Sequence, residues 1–95
     1  MNVKPTVTNP QLQSIIDVIY KGQNAKGHIG NGTIMDAVRN ELITGKPTKG
    51  VYHSKKARVT VNELKKQISN GNLDDHDKRM ARALIRNIKK ALSGN

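Results

Sequence analysis

The 95-residue chain contains no cysteine, no tryptophan and no phenylalanine. Without cysteine, neither a disulfide nor a thiolate-held metal can brace the fold, and the redox state of its compartment leaves no trace. Without Phe or Trp, the core must come from Ile, Leu, Val, Ala and Met, residues that suit helix faces as readily as sheets. Tyr20 and Tyr52 are the whole aromatic complement, too few for a platform on which successive bases could stack. No apolar run approaches the roughly 18 residues of a membrane span, and the opening MNVKPTVTNP lacks the apolar centre of a signal peptide. The expectation is one soluble domain over residues 1–95, with 1–8 as a flexible lead-in and no membrane association of its own.

Acidic residues are also scarce. Seventeen Lys and Arg against seven Asp and Glu leave a net charge of +10, which makes a polyanion the leading partner and nucleic acid the first polyanion to consider. An acidic membrane surface or an acidic protein inhibitor would answer to the same charge. Several enzyme classes are excluded by missing parts: there is no cysteine nucleophile, no G-x-S-x-G elbow, no phosphate-binding P-loop and no pair of carboxylates in an apolar setting.

What is present is mostly helix signal. Asn9-Pro10 is a capping residue followed by proline at the first helical position, and Leu12, Ile15, Ile16 and Ile19 form one stripe that Gly22 should end. Residues 22–32, GQNAKGHIGNG, read as a glycine-rich loop able to bring backbone close to another surface. Thr33 and Asp36 resemble a capping box for a helix over 33–44 whose face carries Ile34, Val38 and Leu42, stopped at Thr44-Gly45-Lys46-Pro47. From Pro47 to Val59 the pattern changes to a turn followed by β-branched and aromatic residues, a hairpin or an extended basic loop, and we read it as strand. Thr60 and Glu63 make a capping box for a helix with Val61, Leu64 and Ile68 inside, closed by Asn70-Gly71. A last helix has Asp74, Asp75 and Asp77 at its positive end, a stripe of Ala81, Leu84, Ile85, Ile88 and Leu92, and Lys89 and Lys90 at its negative end, with Gly94 as terminator. The fold class expected is mainly α with a small β element (α+β) at about 47–59.

Candidate sites follow from chemistry and spacing. Lys46, Lys49, Lys55, Lys56, Arg58, Lys65 and Lys66 form a dense basic segment opposed only by Glu63. In the last helix, Lys78, Arg79, Arg82, Arg86, Lys89 and Lys90 lie opposite the apolar stripe, where successive phosphates or plain solvent could meet them. The Asp-Asp-His-Asp run at 74–77 could suggest metal ligation, but acids in a first turn answer to the helix dipole, so no metal site is expected. RNA cleavage without metal needs a base for the 2′-hydroxyl proton, an acid for the leaving 5′-oxygen and cations on the phosphorane. His53 and His28 can share the acid and base work, with Arg39 and Lys56 stabilising the charge and no cofactor required. Thr33 and Thr48 offer hydroxyls to a phosphate, Tyr52 one face to a base, and Lys49, Lys55, Arg58, Lys78, Arg82 and Arg86 charge to the backbone of a structured RNA.

The run GNGTIMDAVRNELITGKPTKGVYHSKK resembles the C-terminal toxin domains of bacterial polymorphic toxins, including those of contact-dependent growth inhibition and LXG-type effectors. The likeness rests on Gly30, Asn31, Gly32, Thr33, Asp36, Ala37, Arg39, Asn40, Glu41, Thr44, Gly45, His53 and Lys56, closely over about residues 27–56 and loosely over the helical tail. It implies a ribonuclease with tRNA as substrate. It implies too a producer that secretes or displays the toxin, action in the target-cell cytoplasm, and neutralisation by a cognate immunity protein, here an acidic one. Some toxins of this kind need a host factor such as elongation factor Tu. Many have a four-stranded sheet, for which this sequence offers one or two strands at most. A non-catalytic RNA- or DNA-binding module, or a domain that docks an acidic protein, would share the charge without the chemistry.

Overall fold

The computed structural model describes residues 3–24, 30–47, 50 and 52–94. In chain order these form α1 (Pro10–Ile19), a 3-10 turn (Lys21–Asn24), α2 (Ile34–Thr44), α3 (Ser54–Ser69) and α4 (Asp75–Leu92). α4 packs against both α3 and α2, and α1 closes against α3. The shared core joins Leu12, Ile16 and Ile19 of α1, Val38 of α2, Ala57 and Leu64 of α3, and Ala81, Leu84 and Ile88 of α4.

Three helix starts form as their residues dictate. Asn9 Oδ1 accepts the amide of Leu12 at 3.0 Å ahead of Pro10, Thr33 Oγ1 accepts the amide of Asp36 at 3.3 Å, and Asp74 Oδ1 accepts the amide of Asp77 at 2.8 Å. Each satisfies one of the amides a helix start leaves without an internal partner. Gly45 ends α2 in the left-handed conformation at φ 69°, which a side chain would resist. After α1 the chain tightens into the 3-10 turn before the loop, and Tyr20 at that junction is buried, which raises its hydroxyl pKa.

The β element expected at about 47–59 is not there. Among the described residues there is no strand, and residues 54–59 are the first turns of α3. Thr48, Lys49 and Val51 lie outside the described residues. The helix wins because Ala57, Val61 and Leu64 continue one buried stripe back through Ser-Lys-Lys-Ala-Arg, where Lys, Ala and Arg are good helix formers. Val59 is left half in solvent; a single β-branched residue does not outweigh a packed face. The Thr60–Glu63 capping box is likewise overturned: Thr60 is buried in the middle of α3, its hydroxyl donating to the carbonyl of Lys56 at 2.8 Å.

Two more packing results differ from the sequence pattern. α2 buries Ile34, Met35, Ala37, Val38 and Glu41, while Leu42 is 54% exposed, so the inward face is turned by one residue. Ahead of α1, Val7 reaches the core, and Lys4 pairs with Asp17 at 2.6 Å. Lys4 and then the Gln13 amide hold the Asp17 carboxyl below its ordinary pKa.

Residues 25–29 of the glycine loop lie outside the described residues, and its two described ends pack against each other. A Cβ on Gly22 would run into the carbonyl oxygen of Gly32, and one on Gly32 would press on the backbone of Gly22 and Gln23. At Gly22 and Gly32 the close backbone approach is therefore spent on folding.

Candidate functional site

His53 is the hinge point between α2 and α3. Its backbone amide donates to Glu41 Oε1 at 2.7 Å, and its ring Nδ1 meets Glu41 Oε2 at 2.8 Å. A carboxylate only accepts, so Nδ1 carries the proton in this contact. The Glu41 side chain is 5% exposed and that of His53 23%; a charge so buried requires a partner, and the imidazole supplies one. With Nδ1 committed, Nε2 makes no hydrogen bond among the described residues and is the nitrogen left for chemistry.

Beside this pair lies a cleft of about 180 Å3 at the meeting of the α2 C-terminus, the α3 N-terminus and the α4 C-terminus. Val38, Leu42 and Leu92 give it apolar wall, and Glu41, Tyr52 and Arg58 bring charge and an aromatic ring. Ser54 and Arg58, four residues apart on α3, face it together. The Tyr52 hydroxyl donates to the Gly45 carbonyl at 3.3 Å, across the mouth of the turn.

The expected catalytic set is only partly brought to this place. His28 lies outside the described residues, as do Thr48 and Lys49. Arg39 is held elsewhere: its Nη1 bonds Asp36 Oδ1 at 2.8 Å, and two residues along a helix turn it by about 200° from Glu41. Lys56 is exposed one turn into α3, and Lys55 stands beside it. Thr33, 2% exposed, is consumed as the α2 cap and by Asn31, whose Oδ1 accepts its hydroxyl at 2.6 Å, so it has no hydroxyl proton to offer a phosphate.

Glu41 is the site residue that sequence reasoning missed. Its signal was an acid at a core-facing phase of α2, three residues after Val38 and four after Ala37, obscured because Leu42 next to it looked like the better inward residue.

α3 and α4 carry most of the unopposed charge. No ion pair among the described residues involves Lys55, Lys56, Arg58, Lys65 or Lys66, nor Lys78, Arg79, Arg82, Arg86, Lys89 or Lys90. On α4, Lys78, Arg82, Arg86 and Lys89 fall within about 80° of one another around the axis. That row ends next to Leu92, which lines the cleft.

The other acidic group has a structural occupation. Asp74, His76 and Asp77 hold ligand-type atoms within 4.8 Å of one another, but Asp77 is 1% exposed and turned onto the chain ahead of α1. It accepts the amide of Asn9 at 2.9 Å and the hydroxyl of Thr8 at 2.9 Å, and His76 Nδ1 at 3.1 Å. Burial pushes its carboxyl up, yet the Asn9 amide, the His76 ring and the Thr8 hydroxyl and amide outweigh that and bring it down to about 2.

Among the described residues, no helix is long and apolar enough to cross a membrane. No family model, curated protein or solved structure matches the chain. The toxin-domain likeness of residues 27–56 therefore stands on its motif residues alone.

Proposed function

We propose that this chain is an RNA-cleaving toxin domain, a basic helical scaffold that grips a structured RNA by its phosphates and cuts it by acid–base chemistry at His53. One contact supports this above the others: the Glu41 carboxylate on His53 Nδ1 at 2.8 Å, which fixes the tautomer and leaves Nε2 as the open nitrogen. An imidazole oriented by a buried carboxylate is the arrangement by which enzymes hold a general base.

In the proposed reaction, Nε2 takes the 2′-hydroxyl proton and the 2′-oxygen attacks the neighbouring phosphorus. The bond to the 5′-oxygen breaks, that oxygen takes a proton from a general acid, and the products are a 2′,3′-cyclic phosphate and a 5′-hydroxyl. His28 is the proposed acid. Lys56 and Arg58, both exposed near the start of α3, supply positive charge for the phosphorane, and Arg39 leaves the catalytic set because Asp36 engages it. The row of α4 cations leading to the cleft is a path for the RNA backbone. From the toxin likeness come tRNA as the substrate, an acidic immunity protein as the inhibitor, elongation factor Tu as a potential host factor, and delivery into the cytoplasm of a target cell.

The direct test is purified protein on total tRNA in EDTA, with and without elongation factor Tu, beside a His53→Gln variant. Fragments ending in cyclic phosphate, absent with the variant, support the proposal. Intact tRNA under both conditions, or equal cleavage by the variant, overturns it.

A second reading has its own observation. Glu41 Oε1 also accepts the backbone amide of His53, so the pair can act purely as a clasp between α2 and α3 in a non-catalytic nucleic-acid-binding module. That reading expects salt-sensitive RNA binding without product, unchanged by His53→Gln.

A further inference from the structure

We propose that the cleft beside the Glu41–His53 pair holds one unpaired nucleotide, with its base against the apolar wall and its phosphate on Arg58. The inference rests on the nucleic-acid reading above and deepens it by naming what the site next to the acid–base pair takes. Size comes first. A volume of about 180 Å3 lies below the roughly 300 Å3 where pockets for drug-sized ligands begin, and it suits one flat ring system rather than two stacked bases.

Chemistry narrows it further. Val38, Leu42 and Leu92 present apolar surface to a ring face, and Tyr52 stands at the rim with its hydroxyl tied to the Gly45 carbonyl. Tyr20 is buried at 2% exposure, so among the described residues Tyr52 is the one exposed aromatic ring. One ring stacks one base. Arg58 lines the same cleft, is exposed, and makes no ion pair among the described residues, which leaves its guanidinium for a phosphate. The Glu41 carboxylate at the cleft is engaged by the His53 amide and ring and only 5% exposed, whereas Arg58 is exposed to an incoming phosphate. Glu41 is both cleft wall and His53 partner, and Tyr52 and Ser54 on either side of His53 line the same cleft, so the proposed seating turns the sugar of the bound base toward the imidazole. A duplex gripped along α4 would thus need one base out of its stack, in a loop or bulge, at the point of cleavage.

The test is titration of the isotope-labelled protein with AMP, GMP, CMP and UMP, followed by amide NMR shifts, with inorganic phosphate as the comparison. Saturable shifts at Leu42, Gly45, Ser54 and Arg58 that nucleotides produce and phosphate does not are the expected result. Tyr52→Ala and Arg58→Ala should each weaken nucleotide binding by about fivefold or more, and Leu42→Trp, a filling change at an exposed position, should block it. Lys21→Ala, an exposed change in the 3-10 turn after α1, should leave it unchanged. Shifts spread along α4 equally for nucleotides and phosphate would overturn the proposal, as would unaltered nucleotide binding in both Tyr52→Ala and Leu42→Trp. The two readings fail separately: RNA left uncut while nucleotides fill the cleft sinks the ribonuclease, whereas RNA cut at full rate by Leu42→Trp sinks the cleft.

Discussion

Glu41 receives two hydrogen bonds from His53, one from the backbone amide at 2.7 Å and one from the ring at 2.8 Å, across a turn that separates two helices. The first bond sets where α3 begins and the second sets how the imidazole faces. Folding and the proposed chemistry therefore meet in one carboxylate.

Replacing that carboxylate should separate the two roles. Glu41→Gln keeps an acceptor for one bond but loses the charge, and the proposed ribonuclease activity should fall by about 10²–10⁴-fold, while chemical denaturation should show a loss of only about 1 kcal/mol. Glu41→Ala should cost about 1–3 kcal/mol as well as activity. Full activity in the Gln variant would remove Glu41 from the mechanism.

At the far end of α4, Asp77 clasps the chain ahead of α1, reaching Thr8 and Asn9 at sequence separations of 69 and 68. Asp77→Ala should destabilise the protein by about 1–3 kcal/mol and raise hydrogen exchange at the Thr8 and Asn9 amides. Unchanged exchange there would mean that the clasp does not hold in solution.

The same carboxyl predicts a pH response. Its folded pKa, about 2, lies below the ordinary 3.8, so folding favours the ionised form. Its contribution is complete above the ordinary value and is lost as pH falls through that interval. Urea midpoints measured between pH 5 and pH 2 should drop with acid, and Asp77→Asn should flatten that drop.

Gly22 and Gly32 touch backbone to backbone. Gly22→Ala should destabilise by about 1–3 kcal/mol because the neighbour is a carbonyl that cannot swing aside. Gly50→Ala meets open space and keeps only the strain of φ 82°, about 1–2 kcal/mol; Gly32→Ala suffers both effects and should be the worst of the three in thermal unfolding.

RNA binding should lean on α4. Arg82→Glu with Arg86→Glu should weaken RNA affinity and lower the slope of log K against log salt by about one for each phosphate that is no longer neutralised. An unchanged slope in filter binding would place the RNA on another face.

Much of this was legible from neighbours in the chain. The caps at Asn9 and Thr33, the acids at the start of α4, the stop at Gly45 and the stripe of α4 each depend on residues within about four positions, and composition alone announced the cationic surface. The α3 start is misread from sequence because Thr60 and Glu63 satisfy the spacing of a cap, although the buried stripe running back to Ala57 shows the helix already under way. Spacing cannot tell a cap from a mid-helix threonine whose hydroxyl bonds four residues back.

By itself, the order of residues determined that the chain would be mainly helical and strongly basic, since those properties are sums of local preferences and charges, while the strand it suggested at about 47–59 gave way to α3. Tertiary structure decided which way α2 turned, and with it that Glu41 rather than Leu42 would go inside and meet His53. The physical reason is that burying a carboxylate is tolerable only opposite a donor, and the donor's position depends on how two helices settle against a third.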